Sequence, residues 1–288
     1  MPRTLDFNDA QVVNFLNAHA APMPLMIGSG LSAGAGLPSW AALFNKEAGA
    51  IGYPVIGPKG ELPVGVSDFY QYASELVGDD HGGVASAALK ERIARGLRVA
   101  STTANDSVYR IIAAMGARRI LTLNYDNLLQ QALLAASPHW TCKKRGEQIG
   151  AIRDNDHLMI AVHGHIDVPN TMVMTEEDCL AILSSTPCDT DRVTQELYSN
   201  NPILHVGMGF RDIAFSLRLS QARYARQGAF LQHVAIISSD VPKPVINRLH
   251  KNGFILFRRD VAKIPALLQA IGDGWKSRLS SSAGAVFS

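Results

Sequence analysis

Short apolar runs that alternate with helix-spaced stretches constrain this chain more than any other feature. Arg119–Leu123, Leu158–Val162, Ile203–Val206, Val234–Ile237 and Phe254–Phe257 are four or five residues long and too apolar to leave a face in water. Between and after them lie stretches with helical spacing, over 126–135, 176–183, 191–198, 212–226, 244–251 and 264–275. Strands buried on both faces and joined by helices build a parallel sheet between two helical layers. An earlier run, Pro24–Ile27, stops at Gly28 and supplies one more strand. A helix over Asp9–Ala18 precedes it, with Asn8 placed to cap its free N–H groups. The expected fold class is α/β.

The alternation fails between about 49 and 104. Residues 49–66 are rich in Gly and Pro and have no helical period, which predicts an irregular connection after a helix that starts near Pro38 and carries Trp40, Leu43 and Phe44 on one face. Helices are then expected over 68–76, 84–96 and 105–115 with no strand between them. The stretch therefore reads as a small helical subdomain inserted into one sheet domain over 1–276, and 277–288, with its SSSAGA run, reads as a mobile tail. A chain of 288 residues suits that organisation, since domains run to roughly 100–200 residues.

Composition removes several functions. A net charge of +2 gives no basic field, so direct nucleic-acid binding by phosphate neutralisation is not expected. No apolar run approaches the ~18–20 residues that span a bilayer, and MPRTLDFNDAQ at the start has no apolar core of a secretory signal. A cytoplasmic protein is expected. Cys142, Cys179 and Cys188 are odd in number and include no C-x-x-C pair, which fits free thiols and not a disulfide framework or a four-thiolate zinc site.

In parallel sheets ligands bind where strands end, so the residues after each strand carry the functional information. After the first strand comes Gly28-Ser29-Gly30-Leu31-Ser32-Ala33-Gly34-Ala35-Gly36. Such a run either lets backbone N–H groups cradle a phosphate or makes a tight turn against a neighbouring element. It lacks the Gly-Lys-Ser/Thr of a Walker loop, and Glu47 falls on a predicted helix, out of reach of a ribose. The next strand ends in Asn124-Tyr125-Asp126, an amide and a carboxylate suited to hydroxyl-rich ligands, with Asp126 alternatively starting the following helix. The third ends in His163-Gly164-His165, where His163 is placed either as a general base or as a hydrogen-bonded structural residue. The fourth ends in Gly207-Met208-Gly209-Phe210-Arg211-Asp212, a second glycine-rich exit. Thr175 and Asp178 read as a capping box.

Taken in order, Gly28–Trp40, Thr122–Leu128, Val162–Gly164 and Val206–Asp212 resemble the conserved segments of the sirtuin superfamily, and most closely its bacterial sirtuin-like NADase branch from antiphage defence systems. The resemblance spans roughly 22–260. It implies a Rossmann-like, NAD-binding sheet domain with a helical insertion, and cleavage of the bond between nicotinamide and ribose. It implies that Gly28, Ser29, Gly30 and Ser32 contact the diphosphate and nearby ribose, and that Asn124 holds the nicotinamide ribose or the attacking water with Asp126 positioning that end. His163 and Asn124 become the catalytic pair, with His163 as the general base. Gly207, Met208, Gly209 and Asp212 become the lining of the adenosine side.

Deacylating sirtuins carry Asp-Phe-Arg where this chain has Ser39-Trp40-Ala41, and Gln where it has Leu123. Most also fold a zinc ribbon from two Cys pairs, which this chain lacks. No zinc or other metal is expected, and the favoured activity is NAD+ hydrolysis to nicotinamide and ADP-ribose. The alternatives are a protein deacylase or ADP-ribosyltransferase, and a non-catalytic NAD or ADP-ribose sensor. The chain's length suggests regulation by self-assembly, as a homo-oligomer, or by a separate partner, for which the resemblance favours a HerA-type ATPase over a short Argonaute.

Overall fold

The protein is described by a computed structural model that covers residues 4–5, 7–18, 22–58, 60–78, 83–151, 153, 156–184, 187–210, 212, 215–216, 219–220 and 231–284. Eight strands form one sheet in the order β1-β8-β7-β6-β2-β3-β5-β4, every neighbouring pair parallel. The strands are β1 (Thr4–Leu5), β2 (Leu25–Ile27), β3 (Arg119–Thr122), β4 (Trp140–Lys144), β5 (His157–Ala161), β6 (Leu204–Val206), β7 (Val234–Ser238) and β8 (Ile255–Arg259).

Period-two burial sorts the strand side chains onto two faces. Leu25, Ile27, Ile120, Leu204, Val206, Val234, Ile236, Ile255 and Phe257 enter one core, with α1 (Asp9–Asn17), α6 (Ser107–Ala114), α7 (Leu128–Ala136) and α11 (Ile264–Gly284) packed over it. Met26, Leu121, Ile160, Ala235, Ile237 and Leu256 enter the other, covered by α9 (Asp189–Asn200) and α10 (Lys243–Lys251). The expected α/β class, a Rossmann-like parallel sheet with helices on both faces, is what the chain forms.

The remaining helices are α2 (Ser29–Gly34), α3 (Trp40–Ile51), α4 (Phe69–Val77), α5 (Val84–Ser101) and α8 (Glu176–Ser184). A third core joins α3, α4 and α5 through Phe44, Tyr72, Leu89 and Ile93 and seats them on Tyr125, Ile166, Met172 and Met174. Among the described residues no strand falls between α2 and β3. A partly buried ion pair also ties the helical segment to the sheet domain: Lys90 Nζ lies 2.5 Å from Asp178 Oδ1. The second carboxylate oxygen of Asp178 accepts from the Thr175 N–H at 3.0 Å, and Thr175 Oγ1 accepts from the Asp178 N–H at 3.3 Å, the expected capping box.

Several boundaries differ from expectation. Asn8 caps α1 as expected, its Oδ1 accepting from Gln11 N at 2.9 Å. Helix α3 runs on to Ile51 and stops at Gly52, which has a left-handed φ of 71°. β1 and β4 are sheet edges with polar or short sequences, invisible to a search for buried runs. Helix α11 continues through Gly284, past the expected end at 275, and 285–288 lie outside the described residues. Of the expected helix 212–226, residues 215–216 and 219–220 are helical and most of the rest lies outside the described residues. Among the described residues no helix is long and apolar enough to cross a membrane.

His205 on β6 faces the second core with no solvent exposure, and its Nε2 lies 2.8 Å from the Tyr198 hydroxyl. Burial pushes its pKa down to about 3. A depressed base holds its stabilising contribution above the unfolded pKa of about 6.5 and loses it as pH falls toward the folded value, because the unfolded chain binds the proton first. Thermal unfolding followed from pH 7 down to 4 should show a steep loss in the wild type and a shallower one in His205→Phe.

Candidate functional site

The chain leaves β2 toward β3 on one side of the sheet and returns to β6 on the other. That reversal opens a crevice at the C-terminal ends of β2 and β6, the standard ligand position in open parallel sheets. Both exits are glycine-rich, and here the glycines face each other. Gly28 N–H donates to Val206 O at 2.9 Å and Gly30 N–H to Gly207 O at 2.8 Å. A Cβ on Gly28 would stand 2.6 Å from the Gly207 carbonyl oxygen, and Gly207 itself has φ +70°. The tight-turn reading of the run is therefore the one realised by Gly28 and Gly30, whose N–H groups are spent on β6. What they leave a ligand is a rim on which Ser29 and Gly30 are exposed at the start of α2.

Beneath the rim lies a buried polar network. The Ser32 hydroxyl donates to Asp126 Oδ2 at 2.6 Å, which uses its single proton. Tyr109 OH, 2.7 Å away, must then donate to Ser32 Oγ. Asn124 Nδ2 donates to Ser32 Oγ at 2.7 Å and to Tyr109 OH at 3.2 Å, using both its hydrogens. Asn124 Oδ1 is buried and has no hydrogen-bond partner among the described residues. Asp126 Oδ1 accepts from the Leu128 N–H at 3.1 Å, so Asp126 starts α7 and serves the network at once. Burial raises the Asp126 carboxyl above its ordinary range, against the pull of the Ser32 and Leu128 donors, and burial also raises the Tyr109 phenol, which stays neutral. A cavity of about 330 Å³ borders this network and is lined by Ser29, Gly30, Ser32, Asn124 and Asp126.

His163 lines a second cavity of about 210 Å³, together with the aromatic residues Trp40, Phe44, Phe69, Tyr70, Tyr125 and Phe210. It sits two residues beyond the end of β5, buried, with its carbonyl accepting from Val173 N–H at 2.9 Å. Gly164 has φ +90°, and a Cβ there would collide with the Thr171 carbonyl oxygen at 2.2 Å, so the His-Gly order is dictated by the turn. His163 Nδ1 lies 3.4 Å from Asp212 Oδ2. Asp212, which the resemblance put on the adenosine side, thus stands beside the histidine, in a cavity that Met208 and Gly209 also line. His165 lines neither cavity. Its Nδ1 accepts from Asp167 N–H at 3.2 Å, and burial pushes its pKa down to about 4, as for a structural histidine.

Ser29, Trp40, Phe69 and Tyr125 border both cavities, and Trp40 and Tyr125 meet edge to face with centroids 4.9 Å apart. A third cavity of about 230 Å³ opens on the β6 side of the rim, lined by Gly30, Gly207, Met208, Gly209, Ser238 and Asp240. The residues singled out in the sequence thus converge on one crevice in three adjoining compartments: Ser32, Asn124 and Asp126 in one, His163 and Asp212 in the second, Gly207 and its neighbours in the third. Sequence reasoning missed Tyr109, Tyr70, Ser238 and Asp240. Ser238 ends β7 and Asp240 lies two residues beyond it, a strand end that could have been searched; the tyrosines come from helices and carry no local signal. Among the described residues no group of three or more His, Cys, Asp or Glu is placed to hold a metal ion.

Residues 118–257 match the family described as the SIR2-like domain. A stretch of 155 residues, 54% of this chain, is 27% identical to the NAD(+) hydrolase ThsA of Enterococcus faecium, and covers 30% of that protein. The chain thus matches under a third of the length of this relative. A solved SIR2 homolog–NAD complex aligns over 96% of this chain and 97% of its own, at 13% identity and a TM-score of 0.49. The sirtuin-like resemblance read from the four motifs is borne out by the family match and by the ThsA relative.

The rim contact makes its own prediction. Gly28→Ala should lower stability by about 1–3 kcal/mol, since the new methyl must displace backbone. Gly34→Ala, with nothing within 4 Å of its Cβ position, should change it by less than about 1 kcal/mol or raise it. Paired denaturant titrations of the two variants check both.

Proposed function

We propose that this chain, SIR2-like over residues 118–257, is an NAD+ glycohydrolase that releases nicotinamide and ADP-ribose. The observation that carries the reading is the Asn124 carboxamide. Its amide hydrogens are committed to Ser32 and Tyr109, its Oδ1 is a buried acceptor with no partner among the described residues, and the residue lines a cavity. Leaving such an acceptor unmet costs about 1–3 kcal/mol, and a ribose hydroxyl or a water molecule would meet it. His163 stands in the adjoining compartment, whose aromatic side chains suit a flat heteroaromatic leaving group.

In this reading the diphosphate crosses the rim at Ser29–Gly30, favoured by the positive end of α2. The adenosine side occupies the compartment of Gly207, Met208 and Gly209. The nicotinamide ribose lies between Asn124 and His163. Cleavage builds oxocarbenium character on that ribose while the electron pair of the C–N bond leaves with nicotinamide. Water adds to the anomeric carbon and gives its proton to His163, a contribution of about 10²- to 10⁴-fold. Asp126, kept in place by Ser32 and the Leu128 N–H, anchors the Asn124 side of the pocket. The likeness to ThsA, an NAD(+) hydrolase, supports the hydrolase reading over deacylation. The sirtuin-like resemblance carries the wider role: an antiphage effector depleting NAD+, working as a homo-oligomer under a separate regulator such as a HerA-type ATPase.

Purified protein incubated with NAD+ should yield free nicotinamide and ADP-ribose by chromatography and mass. His163→Ala and Asn124→Ala should each lower the rate by at least about 100-fold while leaving the unfolding transition cooperative. Acylated or protein-bound ADP-ribose as the main product would replace this reading with a transferase, and intact NAD+ with measurable binding would replace it with a sensor. Asp240, which borders the adenosine compartment, should favour hydroxyls over a 2′-phosphate there. Hydrolysis of NADP+ should accordingly be slower than that of NAD+, and Asp240→Asn should narrow the gap in kcat/KM.

A further inference from the structure

The histidine compartment is assembled from three distant pieces of chain: His163 after β5, Asp212 after β6, and Tyr70 on α4 of the helical segment. The Asp212 carboxylate is held at both oxygens. Oδ1 accepts from the Phe215 N–H at 2.8 Å, and Oδ2 accepts from the Tyr70 hydroxyl at 2.9 Å while facing His163 Nδ1 at 3.4 Å. Capping of the backbone after Asp212 needs only Oδ1, so capping does not explain where Oδ2 points. Two residues earlier, Phe210 is the single non-glycine residue with positive φ, 52°, among the described residues. Its ring is buried between His205 and Phe254, with centroids 5.8 and 5.6 Å away. That left-handed turn costs about 1 kcal/mol or more for a residue with a Cβ, and it brings the chain back so that Asp212 meets the histidine.

We propose that Asp212 is the positioning residue of the His163 base, and that Tyr70 fixes Asp212, so that the base is in register only when the helical segment is seated on the sheet domain. A carboxylate at Nδ1 keeps the proton on that nitrogen and the lone pair on Nε2. When Nε2 takes the proton of the attacking water, the water oxygen bonds to the anomeric carbon and the C–N electron pair departs with nicotinamide. The carboxylate then faces the imidazolium it has oriented, across a low-dielectric pocket. The other titratable groups around this site are Asp68, Tyr70 and Tyr125 in the cavity wall, with Cys179 and Asp178 behind the tyrosines. Burial raises the phenols of Tyr70 and Tyr125, so both stay protonated and Tyr70 remains a donor.

What His163 does to substrate rests on the glycohydrolase reading; how it is held does not. Two readouts separate them. Nitrogen NMR of protein labelled at histidine should show His163 as the Nδ1–H tautomer in the wild type. In Asp212→Asn, which retains the acceptor for Phe215 N–H, that preference should weaken and the titration midpoint should fall. In turnover, Asp212→Asn should lower kcat by about 10- to 100-fold with KM within about 2-fold, and move the acid limb of the profile to lower pH. The same change on a His163→Ala background should cost nothing further, and Asp212→Glu should recover part of the loss. Tyr70→Phe should move kcat in the same direction by less. An identical tautomer and titration in wild type and Asp212→Asn would overturn the proposal, whether or not nicotinamide is released. Absence of nicotinamide release from the wild type would overturn the glycohydrolase reading alone.

Discussion

Everything at the site depends on a backbone contact between two strand exits. The N–H groups of Gly28 and Gly30 bond to the carbonyls of Val206 and Gly207, which closes the switch point of the sheet with main chain alone. Because no Cβ stands between the exits, α2 begins tight against β6, and Ser32 is delivered into the same buried space as Asn124, Asp126 and Tyr109. The same seam sets where the chain after Gly207 emerges, and therefore where Asp212 can reach. A crevice built this way is rigid, since widening it means breaking backbone hydrogen bonds in a dry setting.

On that frame the two polar clusters solve different problems. Around Asn124 every proton is assigned: Ser32 gives to Asp126, Tyr109 gives to Ser32, Asn124 gives to both hydroxyls. The chain of donors ends on the Asp126 carboxylate, and Asn124 Oδ1 is left buried without a partner among the described residues. Around His163 the pocket is aromatic, and the polar groups are few and fixed by contacts from other elements. Trp40 and Tyr125 separate the two clusters while touching both compartments, so a ligand spanning them would carry its reacting bond past that aromatic edge.

The architecture was legible because it rests on burial. β2, β3, β5, β6, β7 and β8 are apolar enough to appear as runs, and the helical segment appeared as the place where runs stop. β4 was not, since Trp140–Lys144 is an edge strand with one wet face, and β1 is only two residues long. The strand-end rule found Asn124, Asp126, His163 and the two glycine exits, and the structure brings them to one crevice. It could not reveal that the glycines serve each other first, because that is a contact across about 180 residues of chain; Gly28 and Gly207 are neighbours only in the folded sheet. Nor could it pair Asp212 with His163, a pairing that depends on one left-handed phenylalanine. Tyr70 and Tyr109 lie on helices with no distinguishing spacing, and only tertiary packing brings their hydroxyls to the site.

The central claim is that three compartments form one dinucleotide site with the scissile bond between Asn124 and His163. A crystal structure of His163→Ala soaked with NAD+ tests it directly. The account predicts a ribose hydroxyl or an ordered water within hydrogen-bond distance of Asn124 Oδ1, the diphosphate over Ser29–Gly30, and nicotinamide among Trp40, Phe69 and Tyr125. A dinucleotide bound with Asn124 Oδ1 untouched, or with nicotinamide turned out toward solvent, would contradict it.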